Sequence, residues 1–306
     1  MPLAQILQNQ WSSQFVLNLL MNIAQQGPVP KHIAIIADGN RRWAKSSEIN
    51  VKRGHQMGAK NLDDILDLFF DTGVECVTAY LFSIENFKRP KEQVDDLMDI
   101  SEIWVQKYLS RSPNKRKIRF RVLGRLELLP EKIRKLIKKL VEKTADYDEG
   151  TLNVCFSYTS RDEMARAIEM TVRNHNDSPK NGERGNITAE TIDNNMDICN
   201  DPPLDVLIRT SGVCRLSDFL LWQCHRDTVI EVLDIHWPEF RYWHLFLAVL
   251  GWQRKKMATV DLYAGATREL RASWDSTSNS HLKWLTSIIL VLIPAVWGYH
   301  MAFYPK

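Results

Sequence analysis

The stretch His32-Ile-Ala-Ile-Ile-Ala-Asp38-Gly39-Asn40-Arg41-Arg42-Trp43 decides how this chain is read. Five successive apolar residues, Ile33 to Ala37, fit a buried strand, and that strand ends in an acid, a glycine and two arginines. In an open parallel sheet, ligands bind beyond the carboxyl ends of the strands. An acid at that point is placed to meet a metal ion, and a glycine lets the backbone approach closely. Arginines hold phosphate oxygens two at a time. The order of residue types therefore points to a diphosphate site, although the G-x-x-x-x-G-K-[ST] of a P-loop is missing. The competing reading is a strand-end turn with a solvated arginine pair, and the stretch alone leaves both open.

Outward from that stretch, composition sets the bounds. A chain of 306 residues with 44% hydrophobic content can bury one large core, so one α/β domain with appendages is expected. A net charge of +3 is too small to argue for a nucleic-acid partner, and no long basic helix is present. Cys76, Cys155, Cys199, Cys214 and Cys224 form no CxxC pair, and such a scattered, odd set suits reduced thiols in a reducing compartment. Two glycosylation sequons, at Asn176 and Asn186, carry no weight in a cytosol-facing protein.

Short apolar runs near 32–37, 74–82, 117–123, 151–157, 204–209 and 228–233 read as strands. Helical patterns fill the intervals near 54–72, 90–110, 130–146, 160–174 and 188–198, with longer helices after 240. This alternation predicts βαβ units around a central, mostly parallel six-stranded sheet. Residues 28–272 are assigned to that single domain.

Both ends carry membrane signals. Within residues 1–27, Trp11, Phe15, Val16, Leu19, Leu20 and Ile23 share one face of an amphipathic helix, which packs on the domain or lies on a membrane surface. At the other end, 273–281 reads as a linker and Leu282–Phe303 as a membrane anchor, with a docked apolar helix as the alternative.

Asp63-Asp64-Ile-Leu-Asp67 and Asp95-Asp96-Leu-Met-Asp99 fit the DDxxD pattern with which trans-type prenyltransferases hold magnesium against a diphosphate. That family is all-helical, whereas here a strand separates the two copies. Acidic helix faces produce the pattern by chance, and both copies are read as solvated faces whose Ile65, Leu66, Leu97 and Met98 supply the buried stripe.

Five further segments narrow the choice. His32–Lys45, Gly54-His55 through Ala59-Lys60, Tyr80–Pro90 (YLFSIENFKRP), Leu152–Arg161 (LNVCFSYTSR) and Asp205–Gln223 (DVLIRTSGVCRLSDFLLWQ) stand in order, followed by Trp237-Pro-Glu-Phe240. Over roughly residues 28–255 the chain resembles the cis-prenyltransferase family, and within it the eukaryotic dehydrodolichyl diphosphate synthase branch.

The resemblance implies an α/β fold with an apolar tunnel, and a magnesium-dependent condensation of isopentenyl diphosphate onto farnesyl diphosphate or a similar allylic primer. The product would be a long polyprenyl diphosphate feeding dolichol synthesis and protein glycosylation. It implies Asp38 as the catalytic, Mg2+-linked carboxylate. Gly39, Asn40, Arg41 and Arg42 would surround the allylic diphosphate, helped by His55 and Arg89. Arg209, Arg215 and Ser217 would hold isopentenyl diphosphate. Ser83 and Asn86 would manage proton removal, with Phe87 and Trp43 beside the reacting groups. Leu66, Phe69, Phe70, Leu97, Ile100 and Trp104 would line either a lipid tunnel or plain core.

Three departures from the family pattern stand out. Val51 occupies the place of an arginine three residues before Gly54-His55, beside Lys52 and Arg53. Val213 replaces a glutamate after the RTSG motif, and the segment from Cys224 to His236 is one residue longer than the family pattern, so a later acidic metal residue has no secure position; Glu231 is only a candidate. After residue 250 no Arg-x-Gly occurs: Gly251, Gly265 and Gly298 follow Val249, Tyr263 and Val296 at that spacing. A heteromeric partner related to the Nogo-B receptor is therefore expected to donate that motif. The expected location is the endoplasmic reticulum membrane, with the catalytic domain facing the cytosol. The rival readings are a non-catalytic scaffold subunit of such a complex, or a trans-type prenyltransferase using the DDxxD pair.

Overall fold

The computed structural model describes residues 14–112, 115–177 and 186–263. The chain divides into two compact units, Met1–Gln253 and Arg254–Lys306. The sheet and the candidate site belong to the first.

Six strands form one sheet: β1 (His32–Ile36), β2 (Cys76–Ser83), β3 (Arg119–Leu123), β4 (Thr151–Tyr158), β5 (Val206–Thr210) and β6 (Val229–Leu233). Their order is β3-β4-β2-β1-β5-β6, and every pairing is parallel. The helices are α1 (Gln14–Ala24), α2 (Asn40–Ser46), α3 (Val51–Thr72), α4 (Lys91–Leu109), α5 (Glu131–Thr144), α6 (Ser160–Asp177), α7 (Ala189–Asp193) and α8 (Tyr242–Tyr263). A parallel sheet needs both faces covered, and the strands alternate accordingly. Ile33, Ile35, Val77, Ala79, Val154 and Ile208 face one core with Leu62, Phe69 and Leu140. Ala34, Ile36, Cys155 and Leu207 face a smaller core with Tyr158, Phe219 and Leu220.

The strands lie where the apolar runs place them. The sheet is wholly rather than mostly parallel. One helix, α2, was not expected: it is only seven residues long, and its N-cap Gly39 supplies no side-chain cap. Helix α3 starts at Val51 rather than near 54 because Asn50 caps it, its side chain accepting from the Lys52 amide at 2.7 Å. The pattern near 188–198 shortens to α7, capped by Thr188.

In α1 the described side chains of one face pack on the domain. Leu20 and Ala24 are buried, Leu17, Met21 and Ile23 pack against the larger core, and Leu19 is exposed. Gln253 secures the segment by donating to the carbonyls of Ala24 (2.7 Å) and Pro28 (2.9 Å). The linker 273–281 and the anchor 282–303 lie outside the described residues. Among those described, no helix is long and apolar enough to cross a membrane.

Candidate active site

The strand order reverses between β1 and β5, the two neighbours that the chain reaches from opposite directions. Such a switch point leaves a crevice at the carboxyl ends of the strands. Asp38 leaves β1 there, and Arg209 and Thr210 end β5 beside it.

Asp38 is fixed through its backbone. Its amide donates to Thr210 Oγ1 at 3.0 Å, and its carbonyl accepts from the Thr210 hydroxyl at 2.7 Å and from the Trp237 amide at 2.9 Å. The side chain is equally committed. Oδ2 accepts from Arg209 Nη2 at 2.8 Å and from Arg42 Nη2 at 3.3 Å, while Oδ1 accepts from the Gly39 amide at 2.7 Å. Burial alone would raise the Asp38 carboxyl, but the hydrogen bond and charge of Arg209, the Gly39 amide and Arg42 outweigh it and hold the group below its ordinary range. Gly39 turns the chain at φ 103°, and a Cβ there would sit 2.8 Å from His236 Nδ1. Only glycine suits both demands.

On the other side, Arg209 is 3% exposed. Its Nη1 donates to Ser217 Oγ at 2.7 Å and to the Arg215 carbonyl, and Arg215 Nε also reaches Ser217 Oγ at 3.3 Å. Arg209 Nε is buried with no hydrogen-bond partner, as is Asn40 Oδ1. Buried orphans of this kind mark where a further group belongs.

Helix α2 presents Asn40, Arg41 and Arg42 in its first turn, with Trp43 half-buried behind them. His55 faces them from α3 and is pushed down to about 4, first by burial and then by the charges of Arg89 and Arg41. Arg89 is lowered by its own burial and then by Arg41, with Asp38 acting against both. His55, Arg41 and Arg89 thus form one electropositive group around a neutral imidazole. Among the described residues, no carboxylate lies within ion-pair distance of Arg41, Arg89 or Arg215.

Ser83, Asn86 and Phe87 lie at the end of β2, next to β1 in the sheet. Two of their hydrogen bonds close their own turn: the Ser83 amide donates to Asn86 Oδ1 at 3.1 Å, and Ser83 Oγ accepts from the Glu85 amide at 3.2 Å. The Phe87 ring meets Phe82 edge-on at 4.9 Å. Glu231 is not brought to Asp38. It pairs in register with Ile208, one residue before Arg209, so its side chain takes the opposite face of the sheet from Arg209.

An apolar cavity of about 100 Å³ starts beside Ala37, Asn40 and His55 and runs along the sheet towards β3, between Phe82, Val122 and Val154 below and Leu62 above. Leu97, Ile100 and Trp104 of α4 line it, as do Ile133, Ile137 and Leu140 of α5. Leu66, Phe69 and Phe70, with the same helical spacing, lie in the core away from it.

The DDxxD acids are taken up in ion pairs and hydrogen bonds within and between helices, and the reading of both as solvated faces needs one correction. Asp63 is 11% exposed and accepts from Trp104 Nε1 and Tyr108 OH, each at 2.8 Å, and from Lys107 at 2.5 Å. Asp67 pairs with Arg111, Asp64 with Lys60, Asp95 with Lys91, and Asp96 and Asp99 with Lys52.

Sequence reading missed Thr210, which clasps both sides of the Asp38 peptide, and His236, which walls Gly39. It named RTSG and Trp237 only as motif, and polar residues adjoining those motifs were the available signal. As to a metal, Asp38 is one carboxylate, and among the described residues no three His, Cys, Asp or Glu side chains gather to hold an ion alone. Mg2+ does not require such a cage, since it keeps waters and takes one or two carboxylates together with substrate phosphates. Asp38 in an arginine-rich crevice fits that donor set.

Comparison with known proteins shows the family. The family model for undecaprenyl diphosphate synthase, Prenyltransf, matches residues 36–259. The chain is 40% identical over 251 residues to a dehydrodolichyl diphosphate synthase complex subunit of Schizosaccharomyces pombe, covering 80% of this chain and 92% of that one. It is 41% identical over 242 residues to the human dehydrodolichyl diphosphate synthase complex subunit DHDDS, covering 76% and 69%. Among solved structures, lavandulyl diphosphate synthase from Lavandula x intermedia, in complex with dimethylallyl diphosphate, superposes with a TM-score of 0.66 at 27% identity, covering 74% and 95%.

Proposed function

The chain belongs to the undecaprenyl diphosphate synthase family of prenyltransferases, and from that premise we propose how its site builds long-chain polyprenyl diphosphate for dolichol synthesis. The substrates are an allylic diphosphate, such as farnesyl diphosphate, and isopentenyl diphosphate. The observation that carries the proposal is the charge imbalance at the switch point. Arg41, Arg42, Arg89, Arg209 and Arg215 surround a single directly bonded carboxylate, Asp38, and this excess of guanidinium calls for diphosphate.

In each cycle the allylic carbon–oxygen bond breaks and pyrophosphate leaves with the bonding pair. The double bond of isopentenyl diphosphate attacks that carbon, and loss of a proton from the joined unit sets a new double bond. Asn40, Arg41, Arg42 and Arg89 hold the leaving diphosphate and stabilise the charge it gains. His55, neutral in the free protein, adds a hydrogen-bonding edge without adding repulsion to the arginines. Arg209, Arg215 and Ser217 hold isopentenyl diphosphate; Ser217 Oγ already accepts from both guanidinium groups, so its own hydrogen is free to donate to a phosphate oxygen. Asp38 would hold Mg2+ together with the substrate, and the ion would supply further charge neutralisation at the leaving group. Ser83 and Asn86 carry no basic group, so they orient the departing proton's neighbourhood while pyrophosphate is the base. The apolar cavity beside Asn40 and His55 gives the chain of the primer a dry path under α4 and α5.

The same proposal covers the setting of the enzyme. The new double bonds are cis. A second subunit related to the Nogo-B receptor supplies an Arg-x-Gly, for which residues 251–306 offer no candidate; the S. pombe and human relatives are named as complex subunits. The complex works at the endoplasmic reticulum membrane from the cytosolic side, with 282–303 as its anchor.

The test is incorporation of labelled isopentenyl diphosphate into lipid-extractable product, primed by farnesyl diphosphate with Mg2+, on membranes containing the full chain and a candidate second subunit. Long labelled polyprenyl chains that vanish on chelation are expected. No incorporation with the second subunit present would favour the scaffold reading.

A further inference from the structure

The loop carrying Arg215 and Ser217 follows an unusual course. Ser217, Asp218 and Leu220 have φ of 51°, 61° and 45°, a left-handed conformation that side chains other than glycine rarely adopt. Such a run persists only where its surroundings over-determine it.

The first turn of α6 does so. Asp218 Oδ1 accepts from the Arg161 amide at 3.0 Å, and Oδ2 accepts from Arg161 Nε at 2.8 Å. The Asp218 carbonyl accepts from the Ser160 amide at 2.7 Å, and Ser160 Oγ accepts from the Leu221 amide at 2.9 Å. Asp218 therefore caps a helix to which it does not belong, where the amides of the first turn favour a carboxylate. Two residues further along α6, the buried Glu163 accepts from Gln223 Nε2 at 3.1 and 3.2 Å and closes the far end of the loop. From the sheet side, the Tyr80 ring stacks on Phe219 at 4.5 Å, and its hydroxyl donates to the Ser217 carbonyl at 3.3 Å.

We propose that Asp218 is a positioning residue for the isopentenyl diphosphate cradle, locking the left-handed turn that brings Ser217 Oγ and the Arg215 carbonyl onto Arg209. This assignment rests on the reading of Arg209, Arg215 and Ser217 as the isopentenyl diphosphate ligands. Asp218 makes no hydrogen bond to Arg209 and is not one of the ligands assigned above. Its carboxylate is occupied by Arg161, and it acts through the backbone of its neighbour Ser217. Aspartate suits the task because its short side chain reaches the helix amide and tolerates a positive φ better than larger residues.

The experiment is steady-state kinetics of the full chain, with its second subunit, varying each substrate separately. Asp218→Ala is expected to raise KM for isopentenyl diphosphate about tenfold or more while KM for farnesyl diphosphate stays within about twofold. Asp218→Asn keeps one acceptor for the Arg161 amide and is expected to recover part of the loss. Arg161→Ala, which leaves that amide in place, is expected to resemble Asp218→Asn. Asp218→Gly relieves the backbone strain without restoring the clamp, so it carries the test should Asp218→Ala fail to fold, and it is expected to show the same selective rise. Equal KM values for isopentenyl diphosphate in wild type and Asp218→Gly, or a parallel change for both substrates, would overturn the assignment. A wild type that incorporates no isopentenyl diphosphate would instead overturn the reading of the cradle on which it stands.

Discussion

Asp38 and Arg209 depend on each other. The guanidinium is 3% exposed and has Asp38 as its carboxylate partner, while Asp38 owes its lowered pKa chiefly to Arg209 once burial is overcome. Removing the acid outright leaves a buried cation unpaired, so Asp38→Ala is expected to lower thermal stability as well as activity. Asp38→Asn keeps the acceptor oxygen, and its loss should fall mainly on turnover, by about 10²–10³-fold, with a smaller drop in melting temperature. Calorimetry beside initial rates separates the two effects. At this scale the sequence was most legible where the residues are contiguous: Asp38 to Arg42 announced themselves as an acid, a glycine and arginines at a strand end. Thr210, His236 and Asp218 did not, because each acts through a contact with a residue far off in the chain, 172 positions for Thr210 with Asp38 and 57 for Asp218 with Arg161, that no spacing rule encodes.

Helix α2 holds the allylic side of the site because two glycines of α3 let it approach. A Cβ at Gly54 would lie 2.6 Å from the Asn40 carbonyl and 2.7 Å from Ala44 Cβ, and one at Gly58 would lie 2.2 Å from Asn40 Oδ1. Gly54→Ala must displace backbone and is expected to cost about 1–3 kcal/mol in urea unfolding. Gly58→Ala meets a side chain that can turn away, so it is expected to spare stability more while weakening binding of the allylic substrate. Equal destabilisation by both would contradict this division. The acidic helices make a second test. Asp63→Asn removes charge from a carboxylate holding Trp104, Tyr108 and Lys107 and is expected to lose about 2 kcal/mol. Asp64→Asn, on an exposed pair with Lys60, should change little. Long elements were readable from periodicity. Helix α2 was not, since seven residues behind a left-handed glycine give neither a cap signal nor a full apolar stripe.

Over the whole sheet, alternation of short apolar runs with helices was enough to set a parallel α/β fold, and the switch point between β1 and β5 then followed from strand order rather than from any one motif. Which apolar helix residues face a cavity was not legible, because Leu97 and Phe69 obey the same periodicity and differ only in what lies opposite. Two histidines tie this architecture to pH. His32 sits under the sheet against the Pro202 carbonyl and Thr78, and burial lowers it despite that carbonyl and the charges of Asp201 and Asp205. His55 is lowered to about 4. Unfolded histidine titrates near ~6.5, so between those values the unfolded chain binds more protons than the folded one. Stability is therefore intact above that range and falls as the pH drops through it. Urea midpoints are expected to decline from pH 7.5 to 4.5, with a shallower decline in His55→Gln; a midpoint that rises on acidification would refute the assignment.

The most direct measurement sets the two candidate carboxylate sites against each other in one assay. Initial rates of isopentenyl diphosphate incorporation are compared for wild type, Asp38→Asn and the double variant Asp63→Asn with Asp64→Asn, each checked for folding at the assay temperature. A site at the end of β1 predicts that the Asp38 variant loses at least about 10²-fold while the double variant, where folded, keeps turnover within severalfold. Abolished turnover in a folded Asp63/Asp64 variant, with Asp38→Asn still active, would move the chemistry to the acidic helices and contradict the site described at Asp38.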